Sequence, residues 1–121
     1  MINWFEIYTA DFGRAKKFYS EVFQCKLTDV PMDSTRHATM QYATFPESTG
    51  ITGGLVNIPE ARPGIGGTLI YFATEEINAE LKRVEAAGGK VIRPKLDTGG
   101  FGFIALIEDT EGNMIGLRSN K

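Results

Sequence analysis

A strand-and-helix unit that occurs twice, half a chain apart, limits this sequence more than any other feature. Ile2 to Thr9 reads INWFEIYT, rich in the β-branched and aromatic residues that suit a pleated, half-buried surface. Alternation puts Trp4, Glu6 and Tyr8 on one face and Phe5, Ile7 and Thr9 on the other. Asp11 offers an N-cap oxygen, and Phe12, Ala15, Tyr19, Val22 and Phe23 form the apolar stripe of the helix that follows. Thr68 to Ala73, TLIYFA, repeats the strand. Thr74 is then the expected cap of a second helix, with Glu75 and Glu76 near its N-terminus and Ile77, Leu81 and Val84 as its stripe. Superposing Trp4 on Thr68 sets an offset of 64 residues, and Asp11 then falls opposite Glu75.

Three more strands are expected after each helix. In the first half they are Gln24 to Val30, His37 to Phe45 and Ile51 to Ile58. In the second half they are Lys90 to Pro94, Phe103 to Glu108 and Met114 to Arg118, the last two forming a hairpin around Thr110-Glu-Gly-Asn113. Between the halves, PEARPGIGG at 59–67 has the proline and glycine content of a connector. The expected architecture is one α+β domain over residues 1–121, with module one at 1–58 and module two at 68–121. Two tandem βαβββ modules would form a curved mixed sheet around a cleft, with helices outside. Phe5, Ile7, Leu69 and Tyr71 would lie under the helices. Trp4, Glu6, Tyr8, Thr68, Ile70 and Phe72 would face the cleft, joined by Met114 and Arg118.

Bulk properties exclude several functions. A net charge of −2 gives no field to attract nucleic acid, and the aromatics are not interleaved with a basic stripe. No stretch reaches the roughly 18–20 apolar residues of a membrane span, and no basic-then-apolar leader opens the chain. The single cysteine, Cys25, allows no internal disulfide and suits a reducing, cytoplasmic setting.

Among candidate site residues, Glu6 shares its face with Trp4 and Tyr8, so an aromatic wall surrounds a carboxylate that can act as base or recognise a cationic group. A structural pairing of Glu6 with Arg118 or another cleft cation is the plainer reading. Glycines at 54 and 116 would remove bulk from the cleft. His37 is the only histidine, so a His-based metal site within the chain lacks donors. Cys25 suits packing and has no general base near it in sequence. Thr98-Gly-Gly-Phe-Gly102 precedes a strand and reads as a flap that carries Phe101 over a ligand.

The doubled pattern, with Asp11-Phe-x-x-Ala15-x-x-Phe-Tyr19 and the Glu108-Asp-Thr-Glu-Gly-Asn113 turn, resembles the vicinal oxygen chelate superfamily over nearly the whole chain. That group contains glyoxalase I, extradiol dioxygenases and the bleomycin- and fosfomycin-resistance proteins. The resemblance implies four metal-ligand positions, two on first strands and two on last strands. Here they fall on Trp4, on Thr68, on or beside Gly54, and on Gly116. Indole and glycine offer no side-chain lone pair to a divalent ion, so the resemblance implies the fold without its usual metal centre or any cofactor.

The expected function is metal-independent binding of an amphipathic small organic molecule by Trp4, Tyr8, Thr68, Ile70, Phe72, Phe101, Met114 and Arg118. The alternatives are a metal-independent lyase or isomerase with Glu6 as base and Tyr8 or His37 assisting, a metal-dependent lyase with non-standard ligands, and a regulatory dimer with no ligand. The resemblance also implies a homodimer.

Overall fold

The computed structural model describes residues 2–31, 40–47 and 51–121. His37 lies outside them. The elements are β1 (Trp4–Tyr8), α1 (Phe12–Phe23), β2 (Thr28–Asp29), β3 (Gln41–Thr44), β4 (Thr52–Asn57), β5 (Ile70–Ala73), α2 (Ile77–Val84), β6 (Lys90–Asp97), β7 (Phe103–Glu108) and β8 (Met114–Ser119). The fold is α+β, with two tandem βαβββ modules. Ladder hydrogen bonds stay within each module, giving two four-stranded mixed sheets in the orders β1-β4-β3-β2 and β5-β8-β7-β6. β1 is parallel to β4, and β5 to β8. No helix of the described residues is long and apolar enough to cross a membrane.

Local chemistry sets the helix ends. Asp11 caps α1 by accepting the Arg14 amide at 3.0 Å. Gln24 ends it in the left-handed region at φ 50°. The α2 cap is Glu76, which accepts the Asn78 amide at 2.8 Å, and not the expected Thr74. That shift by two residues belongs to a wider correction. Glu6 pairs with Gly54 and Tyr71 with Gly116, so Tyr71 is the counterpart of Glu6. The offset between the modules here is the distance from Glu6 to Tyr71, 65 residues and not 64. The caps agree, since Asp11 to Glu76 is also 65.

A one-residue slip moves every side chain of a strand to the opposite face. Ile70 and Phe72 therefore stand beside Ile115 and Leu117 and pack against the core, where a cleft position was expected. Tyr71, expected beneath a helix, is 43% exposed. In β1 the expected faces hold, with Ile7 in the core and Trp4 exposed.

One apolar core joins both modules. Tyr19 of α1 packs against Phe45 of module one and Phe72 of module two, and Phe23 stacks on Phe72 at 4.5 Å. The edge strands β1 and β5 meet at a seam where the Phe5 and Phe72 rings lie 6.0 Å apart. At the far edge, β6 is longer than expected and runs through Pro94 with register shifts on either side of Arg93. An edge strand tolerates a proline because one row of its amides has no ladder partner.

Candidate functional site

Glu6 is the centre of a side-chain network on the open face of the first sheet. Its Oε2 accepts the Tyr42 hydroxyl at 2.8 Å and its Oε1 accepts the Tyr8 hydroxyl at 3.3 Å. The Trp4 indole N–H donates to the Tyr42 oxygen at 2.7 Å. Glu6 thus takes its partners from two tyrosines and makes no pair with Arg118. Tyr42 was absent from the expected site, yet alternation in HATMQYATF puts it opposite Ala43 and Phe45, which are both buried. That signal was readable.

Burial pushes the Tyr42 hydroxyl up to about 12; the Trp4 hydrogen bond opposes this and the contact with Glu6 adds to it. Folding therefore favours the protonated phenol. The resulting stability is fully present below the unfolded value near 10 and is lost as pH rises through about 12. Denaturant unfolding near pH 9 and near pH 11 should show Tyr42→Phe losing less stability across that interval than the parent chain. An equal loss in both would remove Tyr42 from the alkaline transition.

A hollow of about 280 Å³ opens beside this network, at the seam end formed by the C-terminal half of β1 and the starts of β5 and β8. Glu6, Tyr8, Thr68, Ile70 and Met114 line it, together with Arg62 of the connector. Five expected site residues thus come together. Trp4 reaches the group only through Tyr42. Phe72 lines a different hollow, at the opposite end of the seam. Arg118 is exposed and lines neither of these two hollows. Phe101 is 76% exposed, in a loop closed on itself by the Thr98 hydroxyl, which accepts the Phe101 amide at 2.9 Å and donates to the Gly102 carbonyl at 2.7 Å. Arg62 was missed because a connector rich in proline and glycine gives no periodicity to place it.

The glycines do not open space as expected. A Cβ on Gly54 would lie 2.5 Å from the Tyr42 ring, and one on Gly116 would lie 2.4 Å from the Tyr71 ring. Each glycine is covered by a tyrosine from a neighbouring strand. With the corrected offset, the counterpart of Trp4 is Leu69 and not Thr68. An indole, an aliphatic chain and two ring-covered glycines are not a donor set for a divalent ion. Among the described residues, no three His, Cys, Asp or Glu side chains gather where an ion could sit.

The turn between β7 and β8 holds the site's framework together. The Asn113 side chain donates to the Tyr8 carbonyl at 2.9 Å and accepts the connector's Gly64 amide at 2.8 Å. Glu111 accepts the Ala10 and Asp11 amides at 2.9 and 2.6 Å and pairs with Arg14 at 2.8 Å. Burial acts to raise the Glu111 carboxyl, but Arg14, the two amides and Thr110 outweigh it and hold the group below its usual value. Asp109, also buried, accepts the Tyr19 hydroxyl at 2.7 Å. These contacts fix the end of β1, and with it Glu6 and Tyr8, against the second module.

Comparison with known proteins agrees with this architecture. The profile of the Glyoxalase/Bleomycin resistance protein/Dioxygenase superfamily matches residues 1–117. The anthracycline biosynthesis protein DnrV of Streptomyces peucetius is 30% identical over 122 residues, covering 90% of this chain and 43% of DnrV. The chain spans less than half the length of the curated relatives it matches. Among solved structures, TnmS3, an antibiotic binding protein from Streptomyces sp. CB03234, superposes with a TM-score of 0.70 at 26% identity, covering 100% of this chain and 96% of that one. A glyoxalase/bleomycin resistance protein from Albidiferax ferrireducens T118 superposes at 0.72 with 20% identity, covering 100% and 99%.

Proposed function

The chain belongs to the Glyoxalase/Bleomycin resistance protein/Dioxygenase superfamily, and from that membership we propose that it binds a small amphipathic organic molecule at the Glu6 end of the seam, without a divalent metal. The observation that carries the reading is the Glu6 carboxylate, held by two tyrosine hydroxyls on the wall of a hollow that also contains Thr68, Met114 and Arg62. A few polar groups set among apolar walls are what recognition of such a molecule requires. Glu6 serves an amine or hydroxyl of the ligand, and Met114 and Ile70 serve its apolar body. Arg62, which makes no ion pair among the described residues, is available to an anionic substituent. The absence of a donor set at the four family positions supports the metal-free part of the reading. The antibiotic-binding TnmS3 supports a small-molecule ligand.

A thermal-shift screen against amine-bearing aromatics, thiol conjugates and aromatic antibiotics, with zinc and nickel as separate arms, tests it. A ligand near one hundred times its Kd stabilises the native state by about 2.7 kcal/mol. Glu6→Gln should weaken an amine-bearing ligand by about ten- to a hundredfold, since hydrogen bonds to charged groups contribute roughly 1.5–3 kcal/mol. Stabilisation by zinc or nickel alone would count against the metal-free reading. Equal affinity in Glu6→Gln would move the ligand elsewhere. Conversion of the ligand that stops in Glu6→Gln would replace binding with catalysis.

A further inference from the structure

The module symmetry has a second consequence at the other end of the seam. The offset of 65 along the first strands carries Glu6 to Tyr71 and Tyr8 to Ala73, and brings Ile70 back to Phe5. The offset between last strands, from Gly54 to Gly116, is 62, and it brings Met114 back to Thr52. The four residues so reached all line one hollow, of about 410 Å³. The two hollows are therefore equivalent by construction, one at each end of the β1–β5 seam. Their linings differ in chemistry. Where the first has Glu6, Tyr8 and Arg62, the second has the rings of Phe23, Phe45 and Phe72, with Cys25 beside them.

We propose that this aromatic hollow is a second ligand site, separate from the one at Glu6, which takes a neutral planar molecule of two or three rings. Its volume lies within the roughly 300–1,000 Å³ of small-molecule sites. The Phe23 and Phe72 rings stack on each other 22° from parallel, and a planar ligand extends that aromatic stack. Among the described residues, the exposed Glu47 is the one ionised side chain of the lining, and the Thr52 hydroxyl already donates weakly, at 3.4 Å, to the Phe45 and Pro46 carbonyls. An anionic ligand group would lose hydration here without gaining a cation among the described lining residues, and the exposed Glu47 offers a cationic one only a solvent-screened contact. Burial pushes the Cys25 thiol up, in keeping with an apolar wall.

The neutral dye N-phenyl-1-naphthylamine, whose emission rises in apolar sites, is the probe. It should bind saturably, at one dye per chain in this hollow. Ala73→Trp introduces an indole from an exposed lining position without deleting core, and should weaken the dye tenfold or more, about 1.4 kcal/mol. Bound dye should slow iodoacetamide alkylation of Cys25 about fivefold, an occupancy effect read independently of any substitution. Ile92→Ser, at an exposed position of β6 that lines neither hollow, should leave the affinity unchanged. Unaltered affinity in Ala73→Trp, an unprotected Cys25, or loss of dye binding in Ile92→Ser would each overturn the proposal. None of these readouts passes through Glu6, so the ligand site proposed there stands or falls separately.

Discussion

Asp109→Ala should lower stability by about 3–5 kcal/mol. For a domain of this size that is a fall of about 10–20 °C in Tm. The side chain is 3% exposed and accepts four hydrogen bonds. Two come from the Glu111 and Asn113 amides at 2.8 Å each, one from the Asn113 side chain at 3.0 Å, and one from the Tyr19 hydroxyl at 2.7 Å. Tyr19 is fully buried, so its orphaned hydroxyl would have no water to turn to. The alanine thus leaves several donors unsatisfied at once and loosens the turn that holds the end of β1. A double-mutant cycle separates these effects. Tyr19→Phe removes the orphan, so the double variant should be more stable than the sum of the two single losses predicts. Strict additivity would remove the orphaned Tyr19 hydroxyl from the account, and a loss below about 1 kcal/mol in Asp109→Ala would show that the turn carries little of the stability.

That contact joins residues 90 positions apart, which explains what the sequence could and could not convey. β1 and α1 were legible because INWFEIYT carries aromatic and branched residues on alternating faces and Asp11 stands directly before the apolar stripe as its cap. The second unit offered neither cue. TLIYFA is apolar on both faces, so alternation sets no phase, and Thr74-Glu75-Glu76 presents three capping side chains in a row. Laying Thr68, the first residue of TLIYFA, on Trp4 gave an offset short by one residue, and the faces of Ile70, Tyr71 and Phe72 followed it. At the site, Glu6, Tyr8, Thr68, Ile70 and Met114 were named from strand position, and the structure gathers them around one hollow. The glycines misled for a different reason. Open space at Gly54 and Gly116 depends on what neighbouring strands place above them, and Tyr42 and Tyr71 arrive through pairings that a linear reading does not fix.

The other large effect is expected at Gly53, which with Gly54 interrupts the side chains of β4. Gly53→Ala should cost about 3 kcal/mol, at the upper end of usual overpacking. A Cβ there would lie 2.1 Å from the Phe5 carbonyl oxygen and 2.7 Å from the Phe5 ring. β4 lies between β1 and β3, and the Gly53 carbonyl already accepts the Phe45 amide at 2.9 Å, so the strand has no free side to retreat to. The Phe5 ring is itself held against Phe45 and Phe72. Relief must come from β1 moving, and β1 carries Trp4 and Glu6. The effect should therefore reach the site. Trp4 is the only tryptophan, so its emission should change as its hydrogen bond to Tyr42 is strained. Gly116→Ala is the matched comparison. Its clash is with the ring of Tyr71, a side chain 43% exposed that can swing into solvent, so the cost should stay below about 1.5 kcal/mol. Chemical denaturation of the two variants side by side, with Trp4 emission of each native state, decides the matter. Equal losses would mean that the backbone contact at Phe5 is as easily relieved as a ring.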